Sequence, residues 1–303
     1  MFKSVLVAIA GVLLSTGPAW ADEEAAPLTP QEQAAVAAWT AAQAALVEGP
    51  ARVELMDQAV LALPDGFGFV PKKESAKVMR AMGNETDATF IGLVFPMAED
   101  KGYFLALNYE HSGYISDEDA KDWDTEELLQ SLKDGTESGN VRREKEGFPP
   151  IVVTRWIEPP IYDSATHRLI WSAEVRLKKA EDPDPGVNYN TYVLGREGYV
   201  SLNLITAAST VDGDKPAAHQ LLGSIDFNEG RRYGDFNSST DKVAAYGLAA
   251  LVGGVAAKKL GLLALAAAAL AKFGKLILVA MVALGGWFAK WLKSRPTKQD
   301  PAL

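Results

Sequence analysis

Three histidines, His111, His167 and His219, are the side chains best suited to exchange protons near neutral pH. None stands at HxH or HxxxH spacing to another, so the sequence offers no His-based metal site. His167 ends the turn-like stretch Asp163-Ser164-Ala165-Thr166-His167 and reads as a surface residue. The densest acidic run is Asp117-Glu118-Asp119 with Asp122, Asp124, Glu126 and Glu127. Calcium needs several oxygens converging on one point, and its twelve-residue loop needs a central Gly that is missing here. The run therefore reads as a solvated loop before a helix. Glu181-Asp182-Pro183-Asp184-Pro185 reads as an exposed hairpin tip. A serine nucleophile would need a base and an elbow such as GxSxG, and none occurs. Gly195-Arg196-Glu197-Gly198 lacks the pattern of a phosphate loop and reads as a hairpin turn. A pair of acids on neighbouring strands could hydrolyse a glycoside, with Glu110, Glu158 and Glu174 as candidates. The chain has no cysteine, which removes disulfides, Cys–zinc sites and thiol nucleophiles. No residue is assigned a catalytic, cofactor-binding or metal-ligating role, and no cofactor is expected.

The elements that must position these groups alternate as α+β. Gln31 to Val47 is Ala-rich with Trp39 and predicts a helix. Arg52–Met56 and Ala59–Leu63 alternate like strands, followed by the turn Pro64-Asp65-Gly66. Glu74 to Met82 is helical and closed by Gly83-Asn84. Phe90–Phe95 and Tyr103–Tyr109 are strands. A helix opens near Asp124, with Thr125 as its expected cap, and runs to about Lys145 before Gly147 and Pro149-Pro150. Ile151–Ile157, Leu169–Leu177, Val187–Gly195 and Gly198–Thr206 are strands. A short helix near Pro216–Leu222 and a strand at Ser224–Phe227 complete the set. Many adjacent strands with few helices between them predict a mostly antiparallel sheet with packed helices. A single domain is placed at 31–235.

Both ends read as targeting segments. Lys3, an apolar run of 10 residues from Val5 to Leu14, and Ala19-Trp20-Ala21 predict a signal peptide over 1–21. Residues 22–30 read as an acidic linker. Val243 to Leu292 is an apolar stretch of 50 residues, read as a membrane-anchoring, transmembrane helical region, and 293–303 as a basic tail. As one helix the stretch would measure about 75 Å, more than two bilayer cores, so its last third to half is the expected span. Lys258, Lys272, Lys275, Lys290 and Lys293 fall within about 100° of one another on a helical wheel. They are read as snorkelling lysines, with an interfacial or oligomer-facing stripe as the alternative.

Charge divides the same way. Residues 22–241 carry 20 Lys and Arg against 38 Asp and Glu, whereas 242–303 carry 9 against one. The acidic body repels phosphate and argues against nucleic acid. The basic apolar tail fits membrane lipid contacted through 243–292, with Lys and Arg on the cytoplasmic side.

Several phrases resemble a family of bacterial membrane-anchored proteins known as domain-of-unknown-function family 2167. They are Tyr109 to Ile115, Trp156 to Asp163 with Leu169-Ile170-Trp171, Val187 to Thr191 running to Leu194-Gly195-Arg196, Phe227 to Gly230 with Arg232 to Phe236, and Asp241 to Leu248. The resemblance implies an envelope domain with a C-terminal anchor and carries no activity or catalytic residue. The stretch 230–236 is expected to pack on the domain, or else to meet lipid headgroups. The function expected is a non-enzymatic envelope domain of the inner membrane, facing the periplasm, that binds a protein partner or supports a complex. The alternatives are a tethered hydrolase of envelope polymers and a membrane-modifying oligomer acting through the lysine stripe.

Overall fold

The computed structural model describes residues 28–253, apart from 146, 180 and 182. The signal segment, most of the 22–30 linker, most of the apolar stretch and the basic tail lie outside the described residues. The chain folds as α1 (Pro30–Ala44), β1 (Val47–Glu48), β2 (Ala51–Leu55), β3 (Ala59–Leu63), β4 (Phe67–Pro71), α2 (Lys72–Ala81), β5 (Phe90–Pro96) and β6 (Phe104–Glu110). Then follow a 3₁₀ turn at Glu118–Asp122, α3 (Thr125–Lys145), β7 (Ile151–Asp163), β8 (Arg168–Leu177), β9 (Gly186–Leu194), β10 (Tyr199–Ala207), α4 (Val211–Gly223) and β11 (Ile225–Phe227). A second 3₁₀ turn lies at Tyr233–Asp235.

Eight strands form one sheet in the order β1-β4-β5-β6-β10-β9-β8-β7, and three form a second in the order β11-β3-β2. Every pairing of these strands is antiparallel. One face of the large sheet packs on the small sheet and α4: Leu105, Leu107, Tyr189, Leu202 and Leu204 meet Leu55, Leu61, Leu63, Ile225 and Leu221. The opposite face is covered in two places. Trp39 and Ala42 of α1 and Val78 of α2 lie over β4, β5 and β6. Leu128 of α3 and Ala244, Leu248, Leu251 and Val252 lie over β7 and β8. The α+β class and its largely antiparallel sheet are thus present.

Local chemistry sets the element ends. Thr29 and Glu32 form a reciprocal capping box at α1, with Pro30 in the first helical position. At α3 the cap is Asp124 rather than Thr125: its carboxylate accepts from the Glu126 and Glu127 N–H groups at 2.8 and 3.1 Å. The buried Asn140 of α3 pins the start of β7 by bonding both the N–H and the C=O of Ile151.

β7 runs six residues past its expected end at Ile157, through Pro159-Pro160. It is the edge strand of the sheet, where a missing N–H removes no ladder bond, and its register shifts between Glu158 and Ile161. The sequence pattern predicts no strand at β4. Phe67 to Val70 is buried throughout and shows no alternation to read.

The division at 235 and 243 is not a division in the packing. Ala244, Leu248 and Leu251 share one core with Trp171. The first ten residues of the stretch read as anchor therefore belong to the folded unit. Among the described residues, no helix is long and apolar enough to cross a membrane.

Candidate functional site

The three candidate acids are not brought together. Glu110 on β6 and Glu158 on β7 are separated by four strand spacings, about 19 Å. A two-carboxylate site needs roughly 5–10 Å. Glu174 on β8 is buried and committed: Arg155, Arg176 and Thr154 bond its carboxylate at 2.8, 2.7 and 2.7 Å. Burial pushes its pKa up, but these bonds and the two guanidinium charges prevail and hold it below the usual range. Glu174 is therefore ionised and unsuited to act as a general acid near neutral pH.

Two histidines acquire partners that spacing did not reveal. Tyr162 donates its hydroxyl proton to Asp117 at 2.7 Å and lies 3.1 Å from His167 Nδ1. Tyr189 donates to Glu158 at 3.0 Å and lies 2.9 Å from His219 Nε2. A phenol has one proton, so while the carboxylate holds that bond the facing imidazole nitrogen must be the donor. Each grouping thus orders a histidine tautomer through a tyrosine. His167 also adopts a left-handed backbone with φ 53°, closing the β7–β8 turn that Asp163 caps. His111 is exposed beside Tyr109 and joins neither grouping.

Around His167 the structure assembles a junction that holds residues 232–253 to the sheet. Phe236 stacks on Tyr114, Tyr114 on Tyr233, and His167 lies against Tyr233, with ring centroids 3.8, 4.5 and 4.1 Å apart. Tyr233 donates its hydroxyl proton to the Ile115 carbonyl at 2.8 Å. The stretch 230–236 therefore packs on the domain through its aromatic residues. Tyr114 bridges Val243, its N–H donating to Lys242 O and its carbonyl accepting from Ala244 N. Gly113, at φ 94°, permits this: a Cβ there would stand 2.6 Å from Lys242 O.

Residues 250–253 are helical, and the acidic run supplies the cap before them. Asp119 accepts from the N–H groups of Leu248 and Ala249 at 3.1 and 3.0 Å. A side chain at position 247 would block it, since a Cβ on Gly247 would lie 2.4 Å from Asp119 Oδ2. Burial pushes the Asp119 carboxyl up, and its amide donors only partly offset this. Trp171 Nε1 and Tyr192 OH both donate to the Leu251 carbonyl, at 3.2 and 3.1 Å. Of the acids in this run, Asp117, Asp119 and Asp124 are thus spent on tyrosine and backbone donors. Among the described residues, no group of three or more His, Asp or Glu could hold a metal ion.

Arg196, in the β9–β10 turn, grips Asp241 with two bonds of 2.7 and 2.8 Å. This pairing and the Asn237 N–H hold the Asp241 carboxyl far below the usual carboxylate range. Its folded value lies under its unfolded one, so the contribution to stability is full above about pH 4 and is lost as pH falls through the folded value. Arg196→Gln should accordingly lower the denaturant midpoint at pH 7, with the gap from the unmodified chain narrowing at pH 3 and below. Urea melts at the two pH values measure this.

The fold and this junction define an antiparallel α+β domain whose core includes the start of its own C-terminal segment. Residues 47–285 match the family described as "Protein of unknown function (DUF2167)", and the chain belongs to that family. No curated protein matches the chain. Among solved structures it is similar to the cyanobacterial PsbP protein, CyanoP, of Synechocystis sp. PCC 6803, with a TM-score of 0.36 and 12% identity over 61% of this chain and 94% of that one. It is also similar to the Saccharomyces cerevisiae Ran-binding protein Mog1p, with a TM-score of 0.35 and 13% identity over 58% and 94%.

Proposed function

We propose that this protein is an exported envelope domain held at the inner membrane by the apolar segment after residue 253, and that it acts by binding a protein partner rather than by catalysis. The observation that carries the reading is the junction itself. Asp119, Trp171 and Tyr192 fix the backbone of residues 248–251, so the last described turn before the apolar segment is held to the sheet. A flexible tether would need no such fastening. The split between an acidic body and a basic apolar tail supports the same orientation. The commitment of Glu174 to arginines and the wide separation of Glu110 from Glu158 favour binding over hydrolysis.

Reporter fusions test the topology. Alkaline phosphatase joined after Gly253 should be active, and a fluorescent protein joined after Leu303 should fluoresce in the cytoplasm. Inactive phosphatase at the first site would overturn the reading.

A further inference from the structure

The outer face of the small sheet holds a cleft of about 310 Å³, away from the aromatic stack of the junction. Val60 and Ala62 of β3 form its apolar floor, and Arg52, Asp226, Glu229 and Arg232 bring charge to its walls. The two neighbouring arginines have different fates. Arg231 is consumed by Glu197 and Asp57. Arg232 forms no ion pair among the described residues, although its backbone is fixed by a bridge to Gly195 and by the bond from its N–H to Asp235 at 2.9 Å. Asp226 and Glu229 share the cleft with Arg232 yet form no ion pair with it, and Arg52 is tied to Glu54 at 2.7 Å. A guanidinium carried on an anchored backbone and two carboxylates thus line one small space without an ion pair between them.

We propose that this cleft binds a short zwitterionic peptide. The peptide carboxylate sits on the Arg232 guanidinium, whose planar fork suits it. The ammonium lies between Asp226 and Glu229, and the side chains lie over Val60 and Ala62. A volume near the lower limit for small-ligand sites suits two or three residues rather than a long chain. The proposal is independent of membrane attachment.

The full chain in detergent micelles, titrated calorimetrically with trialanine, N-acetyl-trialanine and trialanine amide, tests it. Trialanine should bind saturably, and each cap should weaken binding about tenfold or more, because each removes one charged contact. Arg232→Gln and Asp226→Asn should each weaken trialanine by a similar factor, with melting curves unchanged. Three results would overturn the proposal: no saturable binding of trialanine, equal binding of capped and free peptide, or unchanged affinity in both folded variants. Binding kept by N-acetyl-trialanine and lost only by the amide would also overturn it, in favour of capture of a protein C-terminus.

Discussion

Trp171→Ala is expected to lower the unfolding free energy by about 3–5 kcal/mol, the range for truncating a large buried aromatic. Trp171 is 7% exposed and meets Trp156 edge to face at 5.8 Å. Its indole N–H also donates to Leu251 O, so the loss spreads beyond β8. Amide hydrogen exchange at Leu251 and Val252 should accelerate more than exchange in β10, whose buried Val200, Leu202 and Leu204 pack on the other face. Trp171→Phe separates the two contributions. It keeps most of the packing and gives up one hydrogen bond, for a loss of about 1 kcal/mol. Urea melts read the first quantity and exchange mass spectrometry the second. A Trp171→Ala chain with unchanged exchange over 248–252 would show that the junction does not depend on this contact.

Tyr233→Ala should cost a comparable amount, about 3–5 kcal/mol. The ring is 7% exposed and lies between Tyr114 and His167. Its loss leaves a cavity at the centre of the aromatic stack and an Ile115 carbonyl without its donor. Tyr233→Phe retains the stack and should cost only about 1 kcal/mol. The ordering Ala well below Phe, and Phe below the unmodified chain, is read from thermal melts. Equal losses for both variants would assign the hydroxyl, not the stack, the larger share.

The fold was legible wherever one face of an element is wet. β10 alternates buried and half-buried residues along Tyr199–Leu204, and the sequence pattern follows it. β4 was hidden because both its faces are covered, and the second half of β7 because Pro159-Pro160 ordinarily end a strand. The apolar residues 243–252 read as anchor because they run without a break into an apolar stretch of 50 residues, and hydropathy alone does not distinguish a bilayer from a protein core. Their partners, Trp171 and Leu128, lie far back in the chain.

The junction was less legible than the fold, for the same reason. Asp119 caps a turn 130 residues away, and Tyr233 bonds a carbonyl 118 residues away. No local spacing encodes such pairs. The phrases that resemble the family did contain Tyr114, Tyr162, Trp171, Arg196, Tyr233, Phe236 and Asp241, but only the fold shows that they meet. Glu158 reads in the sequence as a possible acid, whereas Tyr189, which bonds it, and His219, which bonds Tyr189, arrive from β9 and α4.

Fractionation of spheroplasts tests most directly the proposal that the domain is exported and fastened to a membrane-held C-terminal segment. Cells carrying the full chain, or a chain ending at Gly253, would be treated with protease and their membranes washed with alkaline carbonate. The full chain should remain in the washed membranes, with its domain cut by protease added to intact spheroplasts. The shortened chain should appear folded in the released periplasmic fraction. A full chain found in the carbonate supernatant, or a domain that survives protease in intact spheroplasts, would contradict the claim.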